Sequence, residues 1–226
     1  MTGLSTAHHP QIRGVIFDFD GTVADTLRLV ISGFQEAVVS VGGPSFTDAD
    51  VYDYFGPTEA GMLRRAVGDR WPEAYRVYLA AYERDHGAYD HLFYGVVELM
   101  TSLRARGIRV GLVTGKGRDS AEISVRRTGL GPLLEGFETG SDDGLAKAHG
   151  ITRVREAWGL AADEVAYIGD TPDDMKSCLE AGVTGLGAAW AKTASVVADP
   201  RWHCFGSVAE LTAWLDAHVD GSFSRP

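Results

Sequence analysis

Two carboxylates spaced i and i+2 stand at the start of the segment Asp18-Phe19-Asp20-Gly21-Thr22. When a chain leaves a strand and turns, residues at this spacing can both approach one ligand, and Gly21 suits the turn. One acid can bind a metal and attack; the other can exchange a proton. Taken alone, an Asp pair before Gly more often marks a solvated turn. Three further groups change that balance. Thr114-Gly115-Lys116-Gly117 offers a hydroxyl and free backbone N–H groups of the kind that hold phosphate oxygens, although the Walker spacing is absent. Gly169-Asp170-Thr171-Pro172-Asp173-Asp174 offers Asp170 as an oxygen ligand for a hard cation such as Mg²⁺. In that group Asp173 reads as a helix N-terminal residue favoured by the dipole, and Asp174 is expected to reach the site. Lys147, in a segment that reads as a loop, offers positive charge beside a transferring phosphoryl group.

These groups share a context. Gly14-Val15-Ile16-Phe17 is a continuous apolar run ending at Asp18, as expected of a buried parallel strand. Residues 108–113 end at Thr114 in the same way, and residues 165–168 end at Gly169-Asp170. Residues 183–189 read as a fourth, Gly- and Ala-rich strand. Helical spacing fills the intervals: Val96, Leu99, Met100 and Leu103, then residues 119–127, 173–181 and 207–218. Alternating strands and helices predict an α/β fold with a doubly wound, Rossmann-like parallel sheet, whose ligands sit outside the carboxyl ends of the strands. Residues 24–94 break the alternation. They contain no strand pattern and read as helices over 27–41, 48–55, 58–67 and 71–82. The expected organisation is therefore a core of residues 1–23 and 95–226 with an all-helical insertion at 24–94.

The chain has 226 residues, 45% hydrophobic and 23% charged, within the range of a globular protein with a real core. Its 21 Lys and Arg against 31 Asp and Glu leave a net charge of -10, which argues against a nucleic-acid surface or docking on anionic membranes. Cys178 and Cys204 are too few for a disulfide framework and read as packed thiols. Residues 1–10 lack a basic start and an apolar run, and no stretch is long and apolar enough to span a bilayer. The expectation is a cytoplasmic protein with a short N-terminal tail, monomeric or homodimeric.

In this order and on this strand pattern, the motifs resemble the haloacid dehalogenase superfamily over nearly the whole chain. Asp18-Phe19-Asp20-Gly21-Thr22-Val23 is similar to its first motif almost without change. Thr114 resembles the second, Lys147 the third, and Gly169-Asp170 with Asp174 the fourth. The insertion resembles a C1-type helical cap, and the phosphoglycolate phosphatase-like branch is the nearest in pattern. The resemblance implies a Mg²⁺-dependent phosphatase acting on a small phosphorylated metabolite. Asp18 would be the nucleophile and form an aspartyl-phosphate; Asp20 would serve as acid and then base. The carboxylates of Asp18 and Asp170 and the carbonyl of Asp20 would hold Mg²⁺. Thr114, Gly115 and Lys147 would bind the phosphoryl oxygens, and Asp174 would orient Lys147 or the metal's water. A phosphomutase of the β-phosphoglucomutase type and a pyrophosphatase are the alternatives; a non-catalytic binding module would have no reason to keep all four acids.

The chain departs from the family's third motif. Lys147-Ala148-His149-Gly150 lacks both prolines of Lys-Pro-x-Pro, and Lys116 is the rival cation. Asp25 reads as an N-cap for the helix beginning near Leu27, Tyr75, Tyr78 and Tyr82 as packing within the insertion, and Phe55-Gly56-Pro57-Thr58 as a turn that could face the site.

Overall fold

The structure, a computed structural model, describes residues 11–89, 92–142 and 147–219. The expected N-terminal tail lies outside the described residues. Six parallel strands form one sheet in the order β3-β2-β1-β4-β5-β6. They are β1 (Gly14–Phe17), β2 (Arg109–Val113), β3 (Gly136–Glu138), β4 (Val165–Gly169), β5 (Thr184–Ala188) and β6 (His203–Phe205). Central β1 pairs with β2 through Phe17 and Leu112, and with β4 through Phe17 and Ile168. The strand order reverses beside β1, so the carboxyl ends of β1, β2 and β4 meet at the switch point of an open α/β sheet.

Period-2 alternation divides each strand between two cores. Val15 and Phe17 face a layer with Leu99, Leu103, Leu211 and Leu215, from α5 (Val96–Ala105) and α9 (Val208–His218). Ile16 faces Ile151, Val154, Met175 and Cys178, from α7 (Lys147–Trp158) and α8 (Pro172–Ala181). Burial on both faces explains why β1 is apolar throughout. Each such side chain contributes about 1.5–3 kcal/mol by leaving water.

The described part of residues 24–94 holds four α-helices, α1 (Leu27–Ser40), α2 (Asp48–Tyr52), α3 (Glu59–Val67) and α4 (Trp71–Tyr89), and no strand of the sheet. Leu29, Phe34, Val38, Leu63, Tyr78 and Tyr82 form a third apolar cluster, joined by Ile123 of α6 (Arg118–Thr128) from the sheet-bearing part. The chain leaves for these helices and returns at neighbouring points. Ala24 bridges to Leu92, and the Phe93 N–H donates to the Val23 carbonyl. The fold is the expected one: a doubly wound, Rossmann-like parallel sheet carrying an all-helical insertion.

Three expectations change. Among the described residues the sheet has six strands, not four, because β3 and β6 are three-residue edge strands. Lys147 is not in a loop but opens α7. The position before α1 is Thr26, and Asp25 is exposed.

Candidate active site

Asp18 follows β1 directly and is held in line by its own N–H, which donates to the Ile168 carbonyl at 2.9 Å. The backbone then turns at Gly21, where φ is +76°. A Cβ at this position would lie 2.2 Å from Asp170 Oδ2, so only glycine lets the loops after β1 and β4 come together. Asp170 is fixed from behind: the N–H groups of Ser195 and Val196 both donate to its carbonyl at 2.9 Å. Thr22 Oγ1 donates to Asp170 Oδ1 at 3.4 Å.

Lys147 reaches into this space from the start of α7. Its Nζ lies 2.7 Å from Asp18 Oδ2 and 2.6 Å from Asp174 Oδ1. Asp174 is fully occupied. Oδ1 also accepts from Tyr167 Oη, and Oδ2 accepts from the Thr171 N–H and hydroxyl. The latter pair is the capping box of α8, so helix formation itself aims Asp174 at Lys147. Asp173 is exposed, as its sequence reading requires.

Asp18 is different. It is buried, yet Oδ1 has no hydrogen-bond partner. Burial pushes its carboxyl up to about 7, against the pull of Lys147. Burial likewise pushes Asp170 up to about 8, reinforced by Asp18 and Asp174. Burial disfavours the charge on Lys147, but Asp174 and Asp18 outweigh it and hold the ammonium protonated. Carboxylate oxygens of Asp18, Asp170 and Asp174 lie within 4.8 Å of one another. An orphaned buried oxygen beside two further acids fits a hard divalent cation. Asp18 and Asp170 are the available donors, because four donors already fill Asp174.

Asp20 is gripped by a second lysine. Lys116 Nζ lies 3.2 Å from Asp20 Oδ2, and Thr26 donates its hydroxyl to Asp20 Oδ1. Lys116 is buried, sits 4.5 Å from the centroid of the Tyr82 ring, and lies 3.5 Å from Glu59 Oε1. Burial works against its charge, but Asp20, Tyr82 and Glu59 hold it protonated. The two lysines therefore divide the pair: Lys147 serves Asp18, and Lys116 serves Asp20. Thr114 is buried, and its hydroxyl accepts from the Lys116 N–H at 3.3 Å, ordering the turn that carries Gly115.

Glu59 is the residue the sequence did not single out. It belongs to α3 in the helical insertion and is only 3% exposed. It accepts from the Gly117 N–H at 2.7 Å, from Ser120 Oγ at 2.7 Å and from Tyr78 Oη at 3.2 Å. Gly117 precedes α6, so the carboxylate meets that helix at its positive end. The tyrosines of α4 also do more than pack within the insertion. Tyr75 donates to Asp119, and Tyr82 shares a 2.8 Å hydrogen bond with Ser124, both on α6. The one hint in sequence is Thr58 before Glu59, a helix N-cap signal.

Asp18, Asp20, Glu59, Thr114, Lys116, Lys147 and Asp170 line one cavity of about 590 Å³, bounded on the insertion side by the turn at Phe55-Gly56-Pro57. A family model described as haloacid dehalogenase-like hydrolase matches residues 15–188. The chain belongs to the haloacid dehalogenase-like hydrolase family. Among relatives, the phosphoglycolate phosphatase of Synechococcus elongatus is 28% identical over 84% of this chain and 92% of its own length. Pyrophosphatase PpaX of Bacillus pumilus is 26% identical over 79% of this chain and 84% of its own. Tyrosine-protein kinase PtkA of Mycobacterium tuberculosis is 28% identical over 82% of this chain, which spans 64% of that protein. The crystal structure of CbbY from Rhodobacter sphaeroides in complex with phosphate shares the fold. Its TM-score is 0.76 at 16% identity, covering 91% of this chain and 99% of that one.

Proposed function

We propose that this hydrolase is a divalent-metal-dependent phosphatase that cleaves a small phosphomonoester through an aspartyl-phosphate on Asp18. The observation that carries this reading is Asp18 itself: one oxygen tied to Lys147, the other unpartnered and buried beside Asp170. Asp18 and Asp170, with the backbone carbonyl of Asp20, would hold the cation, for which all-oxygen donors favour Mg²⁺. When bound, the cation offsets the repulsion between an ionised Asp18 and an anionic phosphate.

Asp18 attacks phosphorus, and the bond from phosphorus to the leaving oxygen breaks. Asp20, oriented by Thr26 and Lys116, gives its proton to that oxygen. Water then attacks the acyl phosphate while Asp20 takes back a proton, and the bond to Asp18 breaks to free phosphate. Thr114, the Gly115 N–H and Lys147 bind phosphoryl oxygens, and Asp174 keeps Lys147 aimed. Residues 24–94 act as a cap over a core of residues 1–23 and 95–226. The paired crossings at Val23–Ala24 and Leu92–Phe93 serve as its hinge, and Glu59 clasps the cap to α6. Phosphate release from p-nitrophenyl phosphate with Mg²⁺, abolished by Asp18→Asn, tests the reading.

A further inference from the structure

A phosphoryl group held by Asp18, Thr114 and Lys147 points its leaving oxygen toward Asp20, and the rest of the substrate must then fill the cap side of the cavity. That wall is apolar. Leu27, Val30, Tyr52, Phe55, Pro57 and Met62 line it. Tyr52 is 47% exposed, and its ring stands edge-on to Phe55 at 5.3 Å and 90°.

The charges point the same way. Among the described lining residues the cations are Lys116 and Lys147. Lys147 is committed to Asp18 and Asp174, and Lys116 to Asp20 and Glu59. No arginine or histidine lines the cavity among the described residues. Asp20 and Glu59 stand on that side as carboxylates, and Asp173 adds a third acid to the lining. A second phosphate or a carboxylate there would be taken out of water beside acids, with no cation among the described lining residues left to pair with it.

Resting on the phosphatase reading, we infer that the substrate is a phosphomonoester of an uncharged, largely apolar alcohol, aryl or alkyl. It is not one whose leaving group carries a second anion, as phosphoglycolate and pyrophosphate do. The cavity volume lies within the range of small-molecule sites and accommodates a ring beyond the phosphoryl group.

The test separates binding from turnover. Benzylphosphonate and phosphonoacetate, both non-hydrolysable, differ in the aryl or carboxylate group they carry. Calorimetric titration of each into the protein with Mg²⁺ should show benzylphosphonate binding about tenfold tighter or more. Phe55→Ala and the half-exposed Tyr52→Ala should each weaken benzylphosphonate several-fold and leave phosphonoacetate unchanged. Equal affinities, the opposite order, no binding of either, or parallel losses for both ligands would overturn the inference. Hydrolysis of phenyl phosphate is measured alongside. Hydrolysis with phosphonoacetate preferred would sink the substrate class alone; the expected binding order without hydrolysis would sink the phosphatase reading.

Discussion

Replacing Glu59 by Gln should both loosen the fold and slow turnover, and the size of each effect follows from four contacts. Both carboxylate oxygens of Glu59 face only donors: the Gly117 N–H, the Ser120 and Tyr78 hydroxyls, and Lys116. A carboxylate accepts from all four. Glutamine has one oxygen and one NH₂, so whichever way it turns, a donor meets donors in a buried space. The loss is one charge-assisted bond and one stranded donor, together about 2–4 kcal/mol. For a chain of this size that lowers the melting temperature by roughly 5–15 °C. Lys116 also loses one of its two carboxylate partners and settles on Asp20 alone, which costs about 10- to 100-fold in kcat if Asp20 is the acid and base. The assay pairs thermal unfolding with steady-state phosphate release in Mg²⁺, both below the variant's melting range. A Glu59→Gln protein that melts and turns over like the parent would refute the clasp and its link to Asp20.

Two further outcomes follow from the same contacts. Lys147→Ala should cost more rate than Lys116→Ala, about 100- to 1,000-fold in kcat, since it removes the cation beside Asp18; the reverse ranking in steady-state kinetics would show that Lys116 is the phosphoryl-binding cation. Asp18 and Asp170 hold their protons more tightly in the metal-free fold, up to about 7 and about 8, than in the unfolded chain near 3.8. The folded state therefore binds more protons between those values, and metal-free stability should fall as pH rises from about 4 to 8. Mg²⁺ should raise the melting temperature more at pH 8 than at pH 5, and an equal rise at both would contradict the assigned ligands.

Much of this architecture was legible before any coordinates, for a physical reason. Strands buried on both faces must be apolar throughout, so β1, β2, β4 and β5 declare themselves as runs, and Asp18 and Asp170 stand out at the ends of β1 and β4. Edge strands lack that signature: β3 is half-buried along its length, and β6 begins on an exposed His203. The start of α7 was hidden because Lys147-Ala148-His149-Gly150 carries no capping signal and includes a glycine. Glu59 and Lys116 are partners across 57 residues; Glu59 alone reads as a surface charge, and Lys116 reads as a rival to Lys147. Only the packing of α3 and α4 on α6 brings them together and turns a rival for the phosphate into the group that holds Asp20.

The central claim concerns one carboxylate. Phosphate release in Mg²⁺, measured side by side for the parent and for Asp18→Asn across phenyl phosphate and p-nitrophenyl phosphate, tests it most directly. The account predicts turnover by the parent and none by the variant, with the melting temperature of the variant close to that of the parent. Substantial phosphate release by a folded Asp18→Asn protein would contradict it.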